Sequence, residues 1–177
     1  MMMSVGNKLT RLRYENYQAL LEQLLKLLRA RLGDRLTTVV LYGSVARGTA
    51  TLQSDVDLLV IVCDAPSNYF ARLDPLLEAW RVLEKSQTVA ALYQQGIRPY
   101  LSFLVLSEEE ANQNRYIFLD MIEEGIILHD RDGYFARRLE ALKERLIALG
   151  SRRVCLEDGT WYWDLKPDLV LGEVFEL

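Results

Sequence analysis

The sequence predicts an α/β fold in which a small mixed β-sheet carries packed helices. Two apolar, β-branched runs, Leu36–Tyr42 and Val56–Val62, have the composition of buried strands. Stretches with a helical spacing of apolar residues lie on both sides of these strands, at residues 7–31 and 134–149. Of the 177 residues, 50% are hydrophobic, which is enough for a sizeable core. We therefore expect one ordered domain with an elaborated C-terminal end.

Overall charge and cysteine content narrow the class of function. The net charge is -4 and the isoelectric point is about 5.2, whereas broad nucleic-acid binding requires a strongly basic face. No apolar run reaches membrane-spanning length, and no signal-peptide pattern is visible. Cys63 and Cys155 lie far apart without metal-ligand spacing, so we expect two reduced thiols. These features predict a cytoplasmic protein with no membrane segment and no broad affinity for nucleic acid.

A long amphipathic helix is predicted first, over residues 7–31, because six leucines between positions 20 and 28 form one apolar stripe. Gly33 is expected to end it, since glycine favours the backbone conformation found just beyond helix C-termini. After the two strands, a second helix is predicted at residues 68–85. Pro75 is expected to begin this helix or to kink it into two pieces.

A third strand is predicted at residues 100–106, and a helix follows it to about residue 124. Ser107 and Glu110 have the spacing of a capping box, in which each side chain bonds the other residue's backbone N–H. The acidic run that begins there is therefore typical of a helix start rather than of a metal site. A short strand at residues 126–128 completes the predicted sheet.

The C-terminal part is predicted to be an extension of the main domain. An amphipathic helix at residues 134–149 precedes two short strands, which Asp158 and Gly159 are expected to join as a hairpin. We expect residues 1–130 to form the main domain and residues 131–177 to pack on it as a helix and hairpin.

Three other conspicuous side chains have structural interpretations. Trp161 and Trp163 share one face of the second hairpin strand, and we expect them to pack on the domain or on a partner. Stacking on a nucleic-acid base is the alternative role for them. His129 is the only histidine, and no partner stands out near it, so we expect a structural role.

A turn with phosphate-binding character follows the first strand. Gly43 ends the strand, because glycine permits a sharp turn and a close approach of the backbone to a ligand. Ser44 lies where a helix would begin, and unpaired N–H groups at a helix start favour a phosphate group. Arg47, one turn further on, has a guanidinium group that can bind phosphate oxygens in two places. This turn is therefore a candidate phosphate cradle.

Two carboxylates open the second strand. Asp55 and Asp57 are two residues apart, so on a strand their side chains share one face, with Cα atoms roughly 7 Å apart. Two like charges at a strand mouth repel each other, and a divalent cation between them removes that repulsion. Mg²⁺, or Mn²⁺ in its place, suits such a site, because Mg²⁺ takes oxygen ligands and shares its shell with substrate phosphates.

These residues resemble the nucleotidyltransferase superfamily of DNA polymerase β, and within it the minimal nucleotidyltransferases (MNT). The family pattern is Gly-Ser, a spacer of about ten residues, then Asp-x-Asp entering a strand. Gly43-Ser44 and Asp55-Val56-Asp57 have this pattern here, and Arg47-Gly48 and Ser54 also match it. At motif level the match covers roughly a quarter of the chain. The resemblance implies the polymerase β-like nucleotidyltransferase fold for residues 1–130.

The resemblance also implies an activity. A nucleoside monophosphate, AMP from ATP, would pass to a hydroxyl of a protein partner or of a small molecule. Asp55 and Asp57 would be the catalytic residues and the metal ligands. The nucleoside triphosphate would be bound by Gly43, Ser44, Arg47 and Ser54. The acceptors that the resemblance suggests are a helical HEPN-type protein of a toxin–antitoxin pair and a small molecule such as an aminoglycoside. A homo-oligomer is compatible with the sequence.

The third strand departs from the family pattern. In the superfamily it carries a third carboxylate, which acts as general base or completes a second metal site, whereas here Ser102 occupies the expected position. A serine hydroxyl does not accept a proton at neutral pH. A tail carboxylate, Asp164 or Asp168, is the candidate replacement. The alternative interpretation is a catalytically degenerate nucleotide- or partner-binding module, such as the antitoxin-like subunit of an MNT/HEPN pair.

Overall fold

The central sheet has four strands, which are β1 (Leu36–Tyr42), β2 (Val56–Val62), β3 (Leu101–Ser107) and β4 (Ile126–Asp130). Their order across the sheet is β3-β2-β1-β4. β1 runs antiparallel to β2 and to β4, whereas β2 and β3 are parallel, so the sheet is mixed, as the sequence predicts. The structure is a computed structural model that describes residues 11–157 and 160–177.

Helices cover both faces of this sheet. In the described part of the chain they are α1 (Tyr14–Leu32), α2 (Gly43–Arg47), α3 (Tyr69–Leu83), α4 (Gln87–Gln94), α5 (Glu108–Ala111), α6 (Tyr116–Glu124) and α7 (Tyr134–Ala148). A separate two-stranded hairpin follows them, formed by β5 (Arg152–Cys155) and β6 (Trp161–Asp164), which pair antiparallel. The predicted turn of this hairpin, Asp158-Gly159, lies outside the described residues.

The first core lies between one face of the sheet and the helices α1, α3 and α4. Leu41 and Leu58 point into it from β1 and β2, and they pack with Leu24, Leu28 and Leu76. All five side chains are buried. Alternate residues of a strand point to opposite faces, so the apolar residues in between face the other way. The run of consecutive apolar residues in each strand therefore serves two cores rather than one.

The second core lies on the opposite face, under α6 and α7. Leu59 and Ile61 of β2 pack there against Phe118 of α6 and Phe135 of α7. The two phenylalanine rings meet edge to face, with centroids 5.1 Å apart and an interplanar angle of 81°. Trp163 of the hairpin is partly buried against the same core. The C-terminal hairpin therefore packs on this face through Trp163, as expected for that tryptophan.

Several boundaries confirm the sequence predictions. β1 and β2 have the predicted bounds, and Gly33 ends α1 with a positive φ of 55°. The capping box is present, because Ser107 Oγ accepts from the N–H of Glu110 and Glu110 Oε2 accepts from the N–H of Ser107, at 3.1 and 2.9 Å. The first helix begins at Tyr14 rather than at residue 7, and residues 1–10 lie outside the described part.

Two helix predictions are wrong. Pro75 does not divide its helix, since α3 runs through it. The break comes at residues 84–86, where Ser86 caps the unpredicted α4 and accepts from the N–H of Val89 at 3.3 Å. Burial of Leu76 in the first core stabilises the helix beside the proline. The predicted helix after Ser107 is likewise two helices, α5 and α6, with residues 112–115 between them.

Two further expectations concern the chain as a whole. Cys63 and Cys155 are both free thiols, as predicted. Within residues 11–157 and 160–177, none of the helices combines the length and the apolar character that crossing a membrane requires.

Candidate active site

The ends of three strands meet at one end of the sheet and bring the predicted residues together. Tyr42, the last residue of β1, pairs with Asp57 of β2, and Asp57 pairs on its other side with Ser102 of β3. Residues two apart on a strand face the same way. Tyr42, Asp57 and Ser102 each lie two residues from a strand residue of the second core, so their side chains lie on that face of the sheet. Asp57 is half-buried, whereas Asp55 precedes the strand and is exposed.

Gly43 lies directly against the carboxylate of Asp57. Its φ of 74° lies in the left-handed region, which glycine adopts readily. A Cβ atom built on Gly43 would lie 2.4 Å from Oδ2 of Asp57 and 3.3 Å from its Cγ. Any side chain at position 43 would therefore displace the carboxylate, so both this contact and the backbone conformation favour glycine.

Arg47 ends the short helix α2 and points its guanidinium group toward α6. Its Nη1 lies 3.7 Å from Oε2 of Glu124, which makes an ion pair but not a hydrogen bond. Within the described residues the guanidinium group of Arg47 donates no hydrogen bond. Its N–H groups are therefore available to a ligand, as the predicted contact with phosphate requires.

Ser44 and Ser54 have different surroundings. The backbone carbonyl of Ser44 accepts from the N–H of Thr49 at 3.0 Å, and its hydroxyl forms no hydrogen bond within the described part of the chain. The hydroxyl of Ser54, in contrast, accepts from the N–H of Thr51 at 2.9 Å. Ser54 thus shapes the loop that leads from α2 to Asp55, whereas the hydroxyl of Ser44 is available to a ligand.

The charge state of Asp57 is set by four influences. Burial raises the pKa of Asp57, the hydroxyl of Ser102 lowers it by hydrogen bonding, the charge of Asp55 raises it, and that of Arg47 lowers it. Burial also raises the pKa of the adjacent Tyr42 to about 12, with Asp57 adding to the effect. A half-buried carboxylate beside a second carboxylate is an environment that a bound cation would stabilise.

A further carboxylate, Asp120, lies on α6 near this site and was not predicted. Its charge contributes to the raised pKa of Tyr42, and the charge of Arg47 acts in turn on Asp120. Burial raises the pKa of Asp120, and in the described residues its side chain forms neither a hydrogen bond nor an ion pair. The sequence carried a signal for this residue. Asp120 is an acidic residue between the apolar Leu119 and Met121, and it lies four positions before Glu124, on the same face of the helix.

The tail carboxylates do not reach the Asp pair. Asp164 Oδ2 accepts from Nη2 of Arg152 within the hairpin, at 3.1 Å, and Asp168 is exposed. Neither is among the charges that act on Asp57. The hairpin packs on the second core through Trp163, and the carboxylate of Asp164 pairs with Arg152 inside the hairpin.

The donor set of the site fits a hard divalent cation. Asp55 and Asp57 provide carboxylate oxygens at the mouth of one strand, and no group of three or more His, Cys, Asp or Glu side chains that could hold a metal ion occurs in the described residues. Two carboxylates leave several positions of an octahedral shell to water and substrate oxygens. That sharing is typical of Mg²⁺ bound together with phosphates.

Two comparisons of sequence identify related proteins. A family model with the description "Nucleotidyltransferase domain" matches residues 21–149 of this chain. The chain is also 30% identical over 126 residues to a protein of Methanocaldococcus jannaschii that carries the name "Putative protein adenylyltransferase". That alignment covers 70% of this chain and 79% of the relative.

Two of the solved structures that match part of the chain contain toxin–antitoxin proteins. One is a toxin–antitoxin complex with AMP-PNP, which is 19% identical, covers 72% of this chain and 89% of the matched chain, and has a TM-score of 0.44. Another contains a tri-AMPylated HEPN toxin of Shewanella oneidensis with its MNT antitoxin, at 19% identity, coverages of 74% and 89%, and a TM-score of 0.43. At these TM-scores the similarity in shape is partial, and the sequence match is the stronger finding.

Proposed function

Because the chain belongs to the nucleotidyltransferase domain family, we propose that it transfers AMP from ATP to a hydroxyl group in a reaction that depends on Mg²⁺. The observation that carries the proposal is the contact of Gly43 with the carboxylate of Asp57. It brings the backbone of the phosphate cradle against a candidate metal ligand. Triphosphate and metal would then occupy adjoining positions, as transfer of a phosphoryl-linked group requires.

The triphosphate would lie along the turn that begins at Gly43. Gly43 and Ser44 would contact the β- and γ-phosphates, and Arg47 would add two N–H donors to phosphate oxygens. The free hydroxyl of Ser44 and the free guanidinium N–H groups of Arg47 support this assignment, because neither is used within the described residues. Ser54 would act indirectly, through the shape of the loop that it holds.

Asp55 and Asp57 would hold the metal ion. When bound there, the ion would neutralise negative charge on the phosphates and on the departing pyrophosphate. Ser102 pairs with Asp57 from the neighbouring strand, and its hydroxyl lowers the pKa of that carboxylate, which would favour the charged form that binds a cation. The chain itself would thus contribute position and charge rather than a covalent step.

The acceptor hydroxyl must lose its proton during transfer. Its oxygen would form a bond to the α-phosphorus, the bond from that phosphorus to the bridging oxygen would break, and pyrophosphate would leave. Ser102 cannot accept the proton, so we assign that role to Asp120, which lies near Tyr42 and Arg47 and whose carboxylate is otherwise unpartnered in the described chain.

A protein is the acceptor that the comparisons favour. The Methanocaldococcus jannaschii relative is named as a protein adenylyltransferase, and the alignment with it covers most of both chains. A protein is therefore the first class of acceptor to test, and the resemblance in sequence makes a helical HEPN-type protein the first candidate within it. A small hydroxyl compound such as an aminoglycoside is the second.

One observation favours a different function, a nucleotide-binding subunit without catalysis. Ser102 pairs with Asp57 at the strand position where the superfamily pattern has a third acid. If Asp120 does not replace that acid, the site would bind nucleotide and leave the acceptor unmodified. Such a chain would influence its partner protein by binding it rather than by modifying it.

Two labelled nucleotides distinguish these functions. The protein is incubated with Mg²⁺, a HEPN-type candidate acceptor and ATP labelled either at the α- or at the γ-phosphate. We expect the α-label to become covalently attached, the γ-label to leave as pyrophosphate, and both to depend on Asp55 and Asp57. Incorporation of the γ-label would contradict nucleotidyl transfer, and binding without incorporation of either label would favour the binding subunit.

A further inference from the structure

We propose that the C-terminal hairpin is part of the nucleotide site, because Arg153 of β5 holds Glu124 and thereby positions Arg47. The inference rests on the proposed function, in which Arg47 binds phosphate. It assigns to Glu124 and Arg153 the role of positioning residues, which act on the ligand only through Arg47.

Glu124 lies between two guanidinium groups. Its Oε1 is 2.7 Å from Nη1 of Arg153, whereas its Oε2 is 3.7 Å from Nη1 of Arg47. Arg153 also binds Glu123, at 3.0 Å. The closer ion pair of Glu124 is therefore the one with the hairpin, and its ion pair with Arg47 in the phosphate cradle is the looser one.

The looser pair leaves Arg47 free to bind a ligand. Oε2 of Glu124 is buried and accepts no hydrogen bond, although Nη1 of Arg47 lies 3.7 Å from it. Glu124 thus attracts the guanidinium group by charge without using its N–H groups. A direct hydrogen-bonded pair would occupy the donors that phosphate oxygens need.

Arg153 is what keeps Glu124 from closing on Arg47. If Arg153 lost its charge, Arg47 would be the only cation known to face Glu124 among the described residues. The carboxylate of Glu124, whose side chain is 21% exposed, would then have one cation left to pair with, and partial burial favours that pairing. Arg47 would then be drawn into a direct pair with Glu124 and would lose donors for phosphate.

The hairpin is built to hold Arg153 in place. The guanidinium carbon of Arg153 lies 3.9 Å from the centre of the Trp161 ring, a cation–π contact. Trp163, two residues along the same strand, is anchored in the second core. β5 and β6 both lie beyond residue 149, where the match to the family ends. The proposed control of Arg47 thus involves a segment outside the residues that the family model matches.

The neighbouring arginine of the same strand provides a matched control. Arg152 pairs with Asp164 inside the hairpin, is 66% exposed and forms no hydrogen bond or ion pair with α6 among the described residues. We expect Arg153→Gln to weaken the calorimetric affinity for ATP in Mg²⁺ about fivefold and Arg152→Gln to leave it unchanged. Arg153→Lys, which keeps the charge, should recover most of the affinity. Melting temperatures establish that each variant is folded.

A double-mutant cycle separates positioning from general structural support. In an Arg47→Ala background, Arg153→Gln should cause no further loss of affinity, because the residue through which it acts is gone. An equal further loss there, or equal effects of Arg153→Gln and Arg152→Gln, would overturn the role of the hairpin. Absence of Mg²⁺-dependent ATP binding by the unaltered chain would overturn the proposed function itself, and this inference with it.

Discussion

The Cα of Gly43 and the carboxylate of Asp57 are so close that a Cβ on Gly43 would lie 2.4 Å from Oδ2 of Asp57. Gly43→Ala must therefore both adopt a φ of 74° and push the carboxylate away. We expect this variant to lose most of its Mg²⁺-dependent affinity for ATP and about 1–3 kcal/mol of stability. Calorimetric titration and urea unfolding measure the two effects.

The control for Gly43→Ala is Gly96→Ala. Gly96 has a φ of 77°, but nothing lies within 4 Å of a Cβ built on it. The Gly96→Ala variant should lose stability through backbone strain alone and should keep its affinity for ATP. Ser44→Ala, which removes one hydroxyl contact of about 1 kcal/mol, should weaken binding less than Gly43→Ala. The reverse order would mean that the backbone at Gly43 does not cradle phosphate.

The Asp pair should be needed for the metal and not for the fold. We expect Asp55→Asn combined with Asp57→Asn to abolish Mg²⁺-dependent ATP binding, because the amides carry no charge to attract the ion. Stability should not fall, since Asp57 is a half-buried carboxylate beside a like charge. Asp74→Asn, an exposed acid on α3, serves as the control. Equal ATP affinity in the double variant and in the unaltered chain would refute the metal assignment.

Asp120 should matter for turnover more than for binding. If it accepts the proton of the attacking hydroxyl, Asp120→Asn should lower kcat for AMP transfer by about 10² or more and leave the affinity for ATP nearly unchanged. The assay is transfer of label from α-labelled ATP to the acceptor, with Asp74→Asn again as the control. A kcat close to that of the unaltered chain would exclude Asp120 as the proton acceptor.

Glu110 should make stability dependent on pH. Its pKa is lowered by the N–H of Ser107 and by Arg72, whose Nη1 lies 2.5 Å from Oε2 of Glu110. Since the pKa is depressed on folding, its contribution is fully present above its ordinary pKa of 4.5 and is lost as pH falls through the lower folded value. Glu110→Gln should therefore be less stable than the unaltered chain near neutral pH, by about 1 kcal/mol.

Urea unfolding at several pH values tests this dependence. The difference between Glu110→Gln and the unaltered chain should shrink as the pH falls below the ordinary glutamate value. Glu109→Gln is the matched control, because Glu109 is the exposed neighbour in the same acidic run. A difference that stays constant from neutral to acidic pH would show that the charge of Glu110 is not what stabilises the capping box.

Local patterns were sufficient for the strands and for the phosphate turn. The bounds of β2 follow from the run Val56–Val62, which is apolar apart from Asp57. The turn at Gly43 follows from the position of this glycine directly after β1. Both signals lie within a few residues of the feature that they predict. The contact between Gly43 and Asp57 depends on the pairing of β1 with β2, which places Tyr42 opposite Asp57.

Long-range placement is what the sequence did not reveal. Asp120 and Glu124 come close to Arg47 because β4 pairs with β1, which brings the end of α6 against α2. That pairing joins segments far apart in the chain and has no local signature. In α3, burial beside Pro75 outweighed the helix-breaking tendency of proline, whereas the capping serine at position 86 was a local signal that could have been used.

The order of synthesis has a consequence for Arg47. β1 and β2 are consecutive strands, so the turn that carries Arg47 and the Asp pair can form soon after residue 62 has been made. Glu124 and Arg153 appear much later, from α6 and β5. In a growing chain Arg47 would therefore be in place before either of the residues proposed to position it has been made. The period in which Arg47 lacks these neighbours would end when the hairpin has been made and has folded.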